Sequence, residues 1–452
     1  MIVHQAYRFA LDPTASQRRA LHSHCGAARF AFNWGLRQVE RSLQAQHWER
    51  RILGGALTEV PWSLPALRRE WNQAKAEVAP WWQENSKEAY SSGLDGLARA
   101  LQAWSESRAG KRAGPPIGFP GFRKRGWRDS CRFTTGAIRV DDARHVSLPR
   151  IGKLRTLEAT DALTQAGARL LSATISSEAD RWFVSFTCQV DRQAKEHNGQ
   201  MGTLGVDLGV LSLATLSDGS VVAGPKALRS GLRRLRRLSR QHSRKRKRSA
   251  NRRKSARRLA RQHARIGHLR QDHLHKLSTR LAKNHGCLVI EDLHVKGLMA
   301  SAKGTLLQAG RKVKAKSGLN RALADASFGE LRRQLSYKCA WYGSKLIVAD
   351  RFFASSQFCS GCGSRQKLAL SERGYDCLHC GLCLDRDLNA ARNLAGWGRL
   401  AVAGSTPETQ NACRRDVSPH RAADPDEAGT GTVPESAGST GGRILAGLTP
   451  AS

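Results

Sequence analysis

The stretch CSGCGSRQKLALSERGYDCLHCGLCLDRDLNAARN, Cys359 to Asn393, decides how the rest of the chain is read. Four of its cysteines form two C-x2-C pairs, Cys359 with Cys362 and Cys377 with Cys380, with fourteen residues between the pairs. A glycine follows the second cysteine of each pair (Gly363, Gly381), which suits a tight turn that points two thiolates at one ion. Two such pairs read as a zinc ribbon, one structural Zn2+ on four sulfurs, in preference to two disulfides or four unrelated thiols. Directly afterwards come DRDLN (385–389) and the helix-like AARNLAGWGRL. Acids in the first turn of a helix are ordinary capping residues when met alone. Two more acids at strand ends, described below, change that reading.

At 452 residues the chain is long enough for two or three domains. Its formal net charge of +38 is extreme for an enzyme of small molecules and implies a polyanionic partner, nucleic acid first. No apolar run approaches the ~20 residues that span a bilayer, and MIVHQAYRFALDPTAS at the start lacks the form of a signal peptide. Of eleven cysteines, four have zinc spacing and seven are scattered, which fits a reducing compartment. The expectation is a cytoplasmic protein bound to nucleic acid, with no membrane partner.

Upstream of the ribbon, the chain divides near residue 200. AYRFAL (6–11) reads as a strand, and Thr14 to Gln17 can start a helix. Helical patterning continues to about residue 110, with Leu64, Leu67, Trp71 and later Leu94, Leu97, Leu101, Trp104 each on one face, read as core before base-stacking. After the loop at 108–116, GFPGFRKRGWR (118–128) mixes aromatics with cations. Phe119, Arg123, Lys124 and Arg125 suit a nucleic-acid backbone. Short strands follow at 138–140, 145–148, 168–175 and 181–190, a small β-barrel or sandwich closed with the first strand. The amino-terminal half is thus a β-unit interrupted by a helical insertion.

From Gly202 a meander begins. TLGVDLG (203–209) is an apolar strand carrying Asp207, LSLATL (211–216) alternates, and Val221-Val222 starts a third strand. Between Arg229 and Arg265 stand eighteen Lys or Arg and no acid, yet Leu232, Leu235, Leu238 and then Leu259, Ile266, Leu269 keep a stripe. That favours a helical hairpin with one face docked and the other toward phosphates, where Arg244, Lys245, Arg252 and Arg253 would act. CLVIED (287–292) reads as a buried parallel strand ending in acids. Lys296 to Gly318 is expected to be mobile and Arg321 to Tyr342 helical, and KLIVA (345–349) reads as another buried strand. After about Gly404 the composition predicts a disordered tail.

Asp207, Glu291 and Asp387 fall into one pattern, since ligand sites gather where loops leave the strand ends of an α/β sheet. Three converging carboxylates repel unless divalent cations neutralise them, and Mg2+ takes oxygen ligands. Two such ions about 4 Å apart can drive phosphodiester hydrolysis. Asp385 competes with Asp387 for the third place. Asp292 would point to the opposite face from Glu291.

This ordered series resembles the TnpB family, transposon-encoded RNA-guided nucleases related to type V CRISPR effectors. GVDLGV with LATLSDG, the basic stretch from Ser243, LVIEDL, ASFGELRRQLSYKCAWYG, SSQFCSGCG, YDCLHCG and DRDLNAARNLA carry it, with AYRFALDPTASQ, CGAARFAFNWGL and GFPGFRKR nearer the start. The resemblance runs from roughly residue 5 to 400. It implies an RNase H-like (RuvC) domain, α/β, whose acids match Asp207, Glu291 and Asp387, with the ribbon (359–382) inserted between parts 201–358 and 383–403. The hairpin would span about 228–283. It further implies a wedge-like β-barrel at 1–200 with a helical recognition insertion at about 15–110. Guide RNA, a double-stranded DNA target and a short flanking motif would be the partners. Lys87, Ser91 and Thr134 match motif-contacting positions, and Arg373 a basic position near the active site. Tyr375 stands where tryptophan is usual, and Cys383 also departs from the pattern. An RNA-guided repressor would have lost acids that this chain keeps; a strand-joining transposase could share the fold. The oligomeric state stays open.

Overall fold

The computed structural model describes residues 2–126, 129–165, 167–192, 202–305, 308–369 and 371–402. The expected tail, Trp127 and Arg128 of the aromatic–basic stretch, and the boundary at 200 lie outside them.

In the amino-terminal half, β1 (Ile2–Leu11) pairs antiparallel with β7 (Arg181–Asp191) along its whole length. Beyond β7 lie β6 (Arg169–Glu178) and β2 (Ser130–Phe133), giving the order β1-β7-β6-β2. A second sheet holds β3 (Arg139–Asp142), β4 (His145–Leu148) and β5 (Gly152–Arg155), and short α4 (Asp161–Gln165) follows it. The two sheets meet where Asp12 N–H donates to Arg155 C=O at 2.9 Å and Leu157 N–H to Ala10 C=O at 2.8 Å.

Between β1 and β2 run α1 (Ala15–Ile52), α2 (Leu64–Val78) and α3 (Lys87–Arg108). Thr14 and Gln17 close a capping box, so α1 starts where the sequence signal stands. Leu67, Trp71, Leu94, Leu97 and Leu101 are buried, and Trp71 stacks on Tyr90 at 4.9 Å. These aromatics are core.

The second half is built on β8 (Thr203–Asp207), β9 (Ala214–Leu216), β10 (Val221–Val222), β11 (Cys287–Glu291) and β12 (Lys345–Ala349), in the order β10-β9-β8-β11-β12. The first three form an antiparallel meander, and β11 runs parallel to both β8 and β12. Alternation along the strands divides the faces. Leu204, Val206, Leu288 and Ile290 join the core of α6 (Ala250–Asn284) and α9 (Phe328–Tyr342), while Val289 packs with Leu394 of α10 (Arg386–Val402) on the other side.

α5 (Ala227–Ser243) and α6 pack against each other as consecutive helices. No side chain of its own caps α5, because Lys226 stands there in the left-handed region. Asp325 of α8 (Val313–Ala326) does the capping, accepting from Leu228 N–H at 2.9 Å and Arg229 N–H at 3.1 Å while Arg270 of α6 binds it at 3.1 Å. One buried carboxylate therefore ties three helices together.

Several expectations are corrected. Residues 208–213 form a loop, so β9 is shorter than the alternation in LSLATL predicts. The edge strand β12 is half-buried, because only one side has a neighbour to pair with. Within 296–318, short α7 (Val295–Leu298) and the start of α8 are helical, and Asn320 donates to Met299 C=O at 2.8 Å across them. The expected helix 321–342 is two helices, broken at Ser327, whose φ is +53°. No helix among the described residues is long and apolar enough to cross a membrane.

Candidate metal centres and nucleic-acid interface

Parallel register sets the first two acids side by side. Val206 pairs with Ile290, so Asp207 and Glu291 leave neighbouring strands at the same end of the sheet. The third acid arrives on α10. A Cβ on Gly205 would lie 1.9 Å from Ala391 C=O, so glycine alone lets α10 rest directly on β8. Asp387, one helical turn before Ala391, is thereby brought over the strand ends. Asp385 instead caps the helix, its Oδ1 accepting from Asp387 N–H at 2.9 Å and Leu388 N–H at 3.1 Å.

The three charges act on one another. Burial, then Glu291 and Asp387, push the Asp207 carboxyl up to about 8, with Arg386 opposing. Glu291 is raised by burial and by Asp387, against a hydrogen bond from the Ser355 hydroxyl. Carboxyls held above their ordinary range are poised for a cation that would let them ionise. The one set of three or more His, Cys, Asp or Glu among the described residues with all donor atoms within 4.8 Å of one another is that of the four cysteines.

In that set, Cys359 Sγ lies 3.6 Å from Cys380 Sγ, and Cys362 Sγ 3.7 Å from Cys377 Sγ. Corners of a tetrahedron with Zn–S of about 2.3 Å stand about 3.8 Å apart, whereas a disulfide needs about 2.05 Å. The donor set fits Zn2+. Both halves are built alike: Gly363 N–H donates to Cys359 C=O and Gly381 N–H to Cys377 C=O, each at 2.9 Å, with φ of +75° and +72° at the glycines. A hydrogen bond from Ser364 acidifies Cys377 to about 5, and neighbouring sulfurs hold Cys380 at about 12. Four thiolates need the metal to coexist. Tyr375 is fully buried among the cysteines, its hydroxyl donating to Gln357 C=O at 3.2 Å.

The ribbon and the acids are joined by residues whose role no sequence pattern signals. Asn389 donates to Phe358 C=O at 2.7 Å and accepts from Ser360 N–H at 2.9 Å; Asn393, a turn later, donates to Ser355 C=O at 2.7 Å. These two asparagines, spaced i, i+4 in DRDLNAARN, hold the strand-to-ribbon segment against α10. Arg373 is exposed, and its C=O accepts from Arg386 N–H at 2.8 Å. The arginine whose charge reaches Asp207 is Arg386.

The remaining candidates divide. Lys87, Ser91 and Thr134 gather around Glu88 at the start of α3, where Thr134 N–H donates to Glu88 at 3.0 Å and Arg68 donates to Ser91 at 3.1 Å. Lys124, Arg125, Arg244, Lys245 and Arg253 are exposed. Three others serve the fold. Phe119 packs edge-on to Trp104 at 5.0 Å, and the Arg123 guanidinium lies 3.7 Å above the Phe32 ring. Arg252 donates to His242 C=O at 3.2 Å and Lys245 C=O at 3.0 Å, closing the hairpin turn. Arg257 and Arg261 face Asp180 at 3.8 and 2.8 Å.

Family models described as "Probable transposase", "Cas12f1-like, TNB domain" and "Helix-turn-helix domain" match residues 185–302, 328–394 and 1–47. A Mycobacterium tuberculosis protein named "Putative RNA-guided DNA endonuclease" is 41 % identical over 411 residues, 86 % of each chain. The Escherichia coli "Putative RNA-guided DNA endonuclease InsQ" is 33 % identical, covering 88 % of this chain and 93 % of its own. Proteins of Acanthamoeba polyphaga mimivirus named TnpB-like are 30 % identical over 132 residues, 29 % of this chain and 23 % of theirs. The chain belongs to the TnpB family. In this TnpB-family chain the stretch matched as helix-turn-helix is one strand and one unbroken helix. Among solved structures, a Cas12f1–sgRNA–target DNA complex aligns with a TM-score of 0.45 and 12 % identity, covering 87 % of this chain and 99 % of that one.

Proposed function

We propose that the protein is an RNA-guided DNA endonuclease, which hydrolyses DNA phosphodiesters at a guide-matched target beside a short flanking motif. One observation carries the reading: Asp207, Glu291 and Asp387 come from three separate segments to one sheet end, where burial and the neighbouring acids raise the Asp207 and Glu291 carboxyls. Relatives named RNA-guided DNA endonucleases at 33–41 % identity support it.

The sheet, an antiparallel meander followed by two parallel strands, is taken as an RNase H-like (RuvC) core with the ribbon inserted before its last helix. Asp207, Glu291 and Asp387 would hold two Mg2+. Bound there, the ions would supply an activated water and a stabilised leaving oxygen. The protein's own groups do the rest. Ser355 favours ionised Glu291, Arg386 does the same for Asp207, and Asp385 keeps the helix start fixed beneath Asp387. Cys359, Cys362, Cys377 and Cys380 would bind one structural Zn2+. The Lys87–Ser91–Thr134 patch would read the flanking motif, and exposed cations at the hairpin tip would take phosphates of guide RNA or target.

Purifying the protein with RNA expressed from its own locus, then sequencing what is bound, tests the reading. A discrete RNA that directs Mg2+-dependent cutting of a matched plasmid is expected. Target binding without cutting would indicate a repressor, and no specific RNA would leave a nuclease or transposase without a guide.

A further inference from the structure

Past β12, the segment Asp350-Arg351-Phe352-Phe353 leaves the sheet at the end where Ala349 pairs in register with Glu291. Its two phenylalanines have opposite fates. Phe353 lies against Phe358 at 6.0 Å and Trp397 at 6.2 Å. Phe352 is 83 % exposed, more than Trp48 at 59 % or Phe122 at 47 %. Leaving such a ring in water forgoes the stabilisation that burial gives its neighbour Phe353.

The turn that presents this ring is pinned on every side. Phe352 N–H donates to Asp350 Oδ1 at 2.8 Å, and Phe353 N–H to Asp350 C=O at 3.0 Å. Arg351 binds Asp292 at 2.6 Å, and Arg332 of α9 binds the same carboxylate. Asp292 thus serves as the anchor of this turn. Three residues beyond Phe352, Ser355 donates to Glu291. An exposed aromatic ring therefore stands in solvent on a short loop with a pinned backbone, whose other end touches one of the acids.

Bases of a single strand stack on such faces whatever their identity, while paired bases within a duplex have theirs covered. We propose that Phe352 stacks on an unpaired base of the DNA strand being cut and so positions the adjoining phosphate at Asp207, Glu291 and Asp387. This rests on the nuclease reading.

The test compares Phe352→Ala, Phe352→Leu and Phe352→Trp in the full RNA-loaded complex. Two readouts are taken: fluorescence quenching of 2-aminopurine in a short single-stranded DNA with Ca2+, and single-turnover cleavage of guide-matched DNA with Mg2+. Alanine and leucine should each lose the quench and slow cleavage about 5- to 150-fold, the range that ~1–3 kcal/mol of stacking per base converts to. Tryptophan should restore both. An abasic nucleotide at the stacked position should slow the wild type and leave Phe352→Ala no slower. Cleavage by Phe352→Leu at the wild-type rate would overturn the proposal, since an apolar contact, including one with a protein partner, would then suffice. So would a quench unchanged in Phe352→Ala. A Phe352-dependent quench in a complex that cuts nothing would uphold the stacking and sink the nuclease reading instead.

Discussion

Ser355 donates its hydroxyl to Glu291, and it can do so because Asn393 of α10 holds the Ser355 carbonyl at 2.7 Å. The helix carrying the third acid thus also fixes the hydrogen bond that tunes the second. Burial raises Glu291 and Ser355 opposes that rise. Ser355→Ala should therefore lift the Glu291 carboxyl further, leaving less carboxylate at any pH below its new value. Hydrogen bonds to a charged group contribute about 1.5–3 kcal/mol, so cleavage at the acid end of the pH range should fall by roughly tenfold or more. The loss should shrink as pH rises, and a pH–rate profile measures it.

Asp207 makes the opposite kind of prediction, about stability. Its carboxyl titrates at about 8 in the folded protein, against an ordinary 3.8. Its contribution is complete below pH 4 and is lost as pH rises through 8, because ionising it costs free energy where it is buried. In buffer free of divalent cations, Asp207→Asn should match the wild type near pH 4 and exceed it at pH 8 by an amount on the order of a few kcal/mol. Urea unfolding at the two pH values would show this; a constant difference would refute the cause. Mg2+ should narrow the gap at pH 8.

Zinc should be present at one ion per chain. Cys377→Ser removes the thiol that Ser364 acidifies, and the variant should lose the metal by mass spectrometry. Because Asn389 links Ser360 to α10, disorder in the ribbon should reach Asp387, and cleavage should fall below a hundredth of the wild-type rate. Stripping zinc at low pH should have the same effect.

At Gly205 the prediction is steric. Any Cβ there meets Ala391 C=O and the Ala395 nitrogen, at 1.9 and 2.6 Å. Gly205→Ala must push α10 off β8, costing about 1–3 kcal/mol or more and moving Asp387 from its partners. Thermal denaturation should show a loss of several degrees, and the cleavage rate should fall further than stability alone explains.

Much of the architecture was legible because burial leaves a mark on composition. LVIE reads as a strand buried on both faces, and β11 is one. The eighteen cations with a leucine stripe read as a docked hairpin, and the ribbon was visible in spacing alone. What could not be read was partnership. Asp385 and Asp387 are equivalent on paper; backbone geometry makes one the cap. Ser355 and Asn393 lie 38 residues apart, and nothing local announces that they meet. Phe119, Arg123 and Arg252 have the chemistry of nucleic-acid contacts, but their neighbours already engage them. Residue type shows what a side chain can bind and leaves open whether the fold has supplied the partner.

The most direct test of the central claim is the cleavage of a guide-matched plasmid with Mg2+ by the RNA-loaded protein, wild type beside Asp207→Ala. Guide-dependent cutting by the wild type is predicted, with a variant that binds the same RNA and the same target without cutting either strand. Cutting that survives Asp207→Ala would contradict the three-acid site.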